Sequence, residues 1–191
     1  MTSHRIFPIA LGVIGALLIA CGDSSTANSK TAPVVDRAFA AHMIVHHQSA
    51  VRMAKTARRR GMSAFVNTLA NDIVRNQTKE IATLRAADRR LRTAGIKKGS
   101  LGVPQHMTGM GDDMSMLESA KAFDRAFLKM MIPHHEGAVV MAKAELKKGK
   151  DPELKALARN IIIAQQREIR EMRKHLGPPA ASGDTMHDGH G

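Results

Sequence analysis

Residues 39–54 read FAAHMIVHHQSAVRMA, and 88 positions later residues 127–142 read FLKMMIPHHEGAVVMA. The shared register extends well beyond these stretches. Asp36-Arg37-Ala38 matches Asp124-Arg125-Ala126, and Gly61 matches Gly149. Leu69-Ala70, Ile73, Gln77 and Glu80-Ile81 match Leu157-Ala158, Ile161, Gln165 and Glu168-Ile169. The alignment runs from residue 36 to 84 without a gap, which marks an internal duplication.

Each copy reads as a helical hairpin. Phe39, Met43, His46, Ala50, Met53 and Ala57 recur alternately four and three apart, the period of one helix face. Arg58 to Arg60 followed by Gly61 form a stop signal of cations in the last turn and glycine just past it. Lys147, Lys148 and Gly149 repeat it. Ser63 suits the N-cap of the next helix; in the second copy Asp151 takes that place, with Pro152 at the first helical position. The returning helices carry stripes of Val66, Ala70, Ile73, Gln77, Glu80, Leu84, Ala87 and Leu91, and of Leu154, Ala158, Ile161, Gln165, Glu168 and Met172. Residues 94–114 are Gly-rich, and Ser115 with Glu118 forms a capping box for the third helix. The pattern predicts an all-α fold, a four-helix bundle of the ferritin-like kind built from two tandem hairpins joined by a long crossover. The duplicated domain spans residues 34–176, with repeat 1 at 34–93 and repeat 2 at 115–176.

Composition agrees. Of 191 residues, 43% are hydrophobic but only 3% are aromatic, so the core is Ala, Leu, Ile, Val and Met. The 13 Met either fill gaps in an aromatic-poor core or ligate a soft metal. The net charge of +12 does not point to nucleic acid, because the basic residues are scattered along helices and stacking aromatics are few.

Residues 1–20 read as an export signal, with Arg5 ahead of the apolar run from Ile9 to Ala20. The run ends Leu18-Ile19-Ala20-Cys21-Gly22, which resembles the lipobox of bacterial lipoproteins. Cys21, the only Cys, is then the lipidated first mature residue, and the protein is held on the extracytoplasmic side of the cell membrane. Residues 21–33 read as a flexible tether and residues 177–191 as a flexible tail carrying Met186, His187 and His190.

The inward stripes are polar at one level. With a turn at Gly61, residue 46 lies opposite roughly residue 76; with a turn at Gly149, residue 134 lies opposite roughly residue 164. His46 and His134 therefore share a level with Gln77, Glu80, Gln165 and Glu168. Such groups need partners or a cation when buried. The ligand candidates are His46, His47, His134 and His135, with Met43, Met131, Met53 and Met141 as softer partners. Glu80 and Glu168 are either ligands or acceptors that orient imidazole. His106, Met107, Met110, Met114 and Met116 are secondary candidates in the crossover.

The duplicated Phe-x3-Met-Ile-x-His-His-x2-Ala-Val-x-Met-Ala pattern, Phe39 to Ala54 and Phe127 to Ala142, resembles domain of unknown function family 305 in the ferritin-like superfamily. The resemblance covers residues 34 to 176 and implies an exported protein with a copper role. It does not imply di-iron chemistry: the layer offers two Glu, and neither repeat contains Glu-x-x-His. His with Met favours copper over zinc. No nucleophile–base arrangement points to an enzyme. Two readings stay open: a metal-ion binder acting as copper scavenger or buffer, and a structural bundle whose polar layer fixes helix register. The sequence leaves the oligomeric state undetermined.

Overall fold

The computed structural model describes residues 24–111 and 114–178, with side chains from residue 33 onward. Four long helices, α1 (Ser24–Arg60), α2 (Ala64–Thr93), α4 (Phe123–Lys148) and α5 (Pro152–Leu176), form the bundle. A six-residue helix, α3 (Met114–Ser119), and a 3-10 turn at Gln105–Thr108 lie in the crossover. Helices α1 and α2 make one hairpin, α4 and α5 the other, and the hairpins meet along α1 and α4. Among the described residues no helix is long and apolar enough to cross a membrane. The export signal, Cys21 and residues 179–191 lie outside the described residues.

The expected caps form. Ser63 accepts from the Val66 N–H, and Asp151 accepts from the Leu154 N–H with Pro152 in the first turn. Two local expectations change. Ser115 and Glu118 do not open a long third helix: α3 stops at Ser119, and the second repeat's first helix starts at Phe123. Arg60 reaches across to this break, donating to the carbonyls of Glu118 and Ala120 and standing 4.9 Å over the Phe123 ring. Residues 24–33, read as tether, are the first turns of α1, because a helix held by packing further along extends at little cost per residue. Gly149 caps α4 as expected, at φ −70° rather than in the left-handed region. Space explains it: a Cβ there would lie 2.2 Å from a Glu145 carboxyl oxygen and 2.5 Å from Asp36.

The contact with Asp36 belongs to a reciprocal clasp. Asp36, at the start of repeat 1, accepts the N–H groups of Lys150 and Asp151 in the turn of repeat 2. Its equivalent Asp124 accepts the N–H groups of Met62 and Ser63 in the turn of repeat 1. Burial alone would raise the Asp124 pKa; the Ser63 hydroxyl, these two donors and His175 outweigh it and hold the carboxylate below its usual range. Each hairpin thus closes the other's turn, which sets α1 and α4 antiparallel.

The core forms two lobes. One gathers Met53, Ala57, Ile73, Phe127, Met131 and Met172; the other gathers Phe39, Met43, Leu84, Met141, Leu154 and Ile161. The crossover seats on α4 at Gly137, where a Cβ would lie 1.9 Å from the Thr108 carbonyl oxygen. Gly109, at φ +65°, presses against the backbone of Pro133 and His134.

Two outcomes follow from these contacts. Gly137→Ala lifts the crossover, costing about 1–3 kcal/mol of stability and exposing residues 100–111 to limited proteolysis; an unchanged melting curve and cleavage pattern would refute the close seating. Glu145 is fully buried, finds no donor and faces Asp36, so burial first and Asp36 second push its pKa up to about 9. A raised folded pKa gives stability that is complete below the unfolded value and is lost as pH rises toward 9, by at most about 1.4 kcal/mol per pH unit. Glu145→Gln should therefore flatten the stability profile between pH 5 and about 9 in thermal denaturation, and a profile identical to the parent's would remove Glu145 as its source.

Candidate metal centre

The two His-His pairs meet between the core lobes. All four imidazoles are buried, none more than 1% exposed. His46 and His134, equivalent in the duplication, face one another across α1 and α4 with ring centroids 3.8 Å apart and planes tilted by 39°. His47 lies 6.1 Å from His46, and His135 lies 6.5 Å from His134. The methionines flank this layer in matching pairs, Met43 with Met141 in one lobe and Met53 with Met131 in the other. The pairing follows from the antiparallel crossing, which sets the residue three before one His pair near the residue seven after the other.

The hydrogen bonds sort the ring nitrogens. His135 Nε2 donates to Glu168 Oε2 at 2.7 Å. His47 Nε2 stands equally close, 2.7 Å, to Glu80 Oε2, with its N–H less directly aligned. His46 Nε2 donates to the Thr108 carbonyl at 3.0 Å. An acceptor at Nε2 keeps the proton there and leaves Nδ1 with its lone pair free. The Nδ1 atoms of His46, His47, His134 and His135 find no hydrogen-bond partner, and neither does His134 Nε2. Gln77 Oε1 and both amide atoms of Gln165 are equally unpartnered at this level.

Electrostatics keeps the central stack neutral. Burial, then His47 and His135, lower the His46 pKa to about 3, outweighing the pull of the Thr108 carbonyl. Burial, followed by His46, His135, His47 and Arg52, holds His134 well below the usual imidazole value. A neutral ring is the form that ligates a metal.

The structure separates the sequence candidates. The four His and four Met sit in or beside the layer, fully or almost fully buried. Glu168 is buried and Glu80 partly exposed, each on the outer nitrogen of its imidazole. In the crossover, Met110 lines a cavity that reaches His46, Met114 packs on a core lobe, and His106, Met107 and Met116 are exposed. Among the described residues no group of three or more His, Cys, Asp or Glu stands ready to hold a metal. The layer is a set of unpaired donors, some still engaged through Nε2, rather than a finished cage. Thr108 was missed in the sequence because a backbone carbonyl leaves no side-chain signal. Glu145 had one, since the stripe through Met141 continues onto it where repeat 1 has Ala57.

A CopM structure in the Cu(II)-bound form is 32% identical, with a TM-score of 0.64 over 74% of this chain and 95% of that one. CopM has also been solved in Cu(I)-bound and Ag-bound forms. A putative secreted DUF305 protein from Streptomyces coelicolor is 33% identical, with a TM-score of 0.65 over 76% of this chain and 92% of that one. A stretch of 53 residues is 49% identical to uncharacterized protein L153 of Acanthamoeba polyphaga mimivirus, spanning about a third (35%) of that protein's length. The family described as Domain of unknown function (DUF305) matches residues 36–176, and the chain belongs to it.

Proposed function

We propose that this protein binds copper as cargo in the buried histidine layer, held outside the cytoplasm by a lipid on Cys21, and serves as scavenger or buffer. One observation carries the reading: in three of the four imidazoles Nε2 is tied or held close to an oxygen, while all four Nδ1 atoms are buried and unpartnered. Imidazoles that ligate metals are commonly oriented through their other nitrogen by a carboxylate or carbonyl. In this reading Glu80, Glu168 and Thr108 orient the rings, and the paired methionines offer thioethers suited to Cu(I). The binding of Cu(I), Cu(II) and Ag by the CopM relatives supports the choice of ion. The Glu carboxylates offset the charge that a cation brings into a dry core.

Competition titration against a copper chelator tests this. The full chain should hold Cu(I), and the variant with His46, His47, His134 and His135 all changed to Ala should bind at least about a hundredfold more weakly. Glu168→Gln should weaken binding by about 10–100-fold through loss of ring orientation. Copper at a hundredfold excess over its dissociation constant should stabilise the parent by about 2.7 kcal/mol. Equal affinity in parent and fourfold variant would place binding in the Met-rich crossover or the His-containing tail. No binding by the parent would leave the layer with a structural role in helix register.

Location has its own check. The parent should fractionate with membranes, and Cys21→Ala should release the protein or leave its precursor uncleaved. A parent chain that is soluble and keeps residues 1–20 would refute the anchor.

A further inference from the structure

The buried layer is reached from outside on one side by a cavity of about 510 Å³ between α1 and the crossover. Its walls include His42, His46, Lys98, Thr108, Met110 and Met141. His42 and His46 lie one turn apart on the same face of α1, the i, i+4 spacing that lets two imidazoles share one ion. His42 is exposed, whereas His46 is buried and keeps an unpartnered Nδ1. Met110 comes from the crossover and Met141 from the core lobe beyond, so the cavity joins a solvent-facing imidazole to the buried layer through two thioethers.

We infer that this cavity is a vestibule in which His42 and Met110 capture a soft monovalent cation and pass it inward to His46. The inference rests on the layer being the destination. The vestibule breaks the symmetry of the duplication where an access route needs it: the equivalent of His42 is Met130, which packs against a core lobe. The cation class follows from the donor set, since two imidazoles with thioethers and no carboxylate among the lining residues suit Cu(I) or Ag(I) better than a hard divalent ion. Lys98 at the wall opposes a cation and slows its entry.

Silver(I) added to the full chain, followed by NMR of the Met methyl and His ring signals, tests the vestibule. Silver in excess of what the layer holds should shift Met110 and His42. The doubly substituted His42→Leu, Met110→Leu chain should fill the layer at least tenfold more slowly, while Lys98→Ala should fill it faster. Met110 and His42 signals that stay still during the titration would overturn the inference, as would a double variant that loads as fast as the parent. Shifts at His42 and Met110 with none at His47 or His135 would uphold the vestibule and sink the layer as destination. The two readings therefore fail separately.

Discussion

An imidazole taken out of water loses hydrogen bonds on both ring nitrogens unless the protein replaces them, and at the crossing of α1 and α4 only some are replaced. Each buried nitrogen left without a partner costs on the order of 1–3 kcal/mol. The bundle carries this cost at four Nδ1 atoms and offsets it nearby. Apolar lobes lie on both sides of the layer, and carboxylates of reciprocal position close both hairpin turns. The clasps of Asp36 and Asp124 are charge-assisted, each contact worth about 1.5–3 kcal/mol. They hold α1 and α4 together at both ends, so the polar middle of that interface does not have to.

The duplication explains why the stack of His46 on His134 exists at all. Two equal helices crossing antiparallel bring equivalent residues together only near the middle of the crossing. A residue on that axis meets its own copy; a residue off it meets a different one. His46 and His134 are on the axis and contact each other, while Met43 joins Met141 and Met53 joins Met131. Elsewhere the copies have diverged. Ser49 corresponds to Gly137, which makes room for the crossover; Ala57 corresponds to Glu145, whose neutral acid faces Asp36; His42 corresponds to Met130. These three differences fall where one copy meets the crossover or the clasp.

Most of the fold was legible because its signals are local and repeated. The stripes through Phe39 and Phe127, the caps at Ser63 and Asp151 and the duplication register all depend on spacing along one chain, and they specified the four long helices. The level of the His layer was legible for the same reason, since antiparallel hairpins with marked turns fix which residues lie opposite. The pairing within that layer was not. His46 and His134 were set opposite Gln77 and Gln165, yet the carboxylates engage the neighbouring His47 and His135, because helix rotation, which periodicity gives only coarsely, decides which imidazole of each pair faces α2 or α5. The Asp36 and Asp124 clasps were hidden too. Their acceptors are backbone N–H groups of the other repeat, and nothing local distinguishes such an aspartate from one on the surface. The break after Ser119 was masked by a capping box that opens only a short helix.

The hydrogen bonding of the layer also bears on the kind of ion it could take. A hard divalent cation wants several oxygen ligands and retained water, and would need Glu80 and Glu168 to leave their imidazoles. That would leave the Nε2 protons of His47 and His135 without their acceptors. A soft monovalent cation accepts few ligands and prefers nitrogen and sulfur. It could use Nδ1 atoms that are already free while the carboxylates stay where they are. The ring protons would keep their acceptors, and the carboxylate charge would remain within the layer to oppose that of the ion. On the proposed reading, the arrangement least disturbed by binding would be the one with the softest ion.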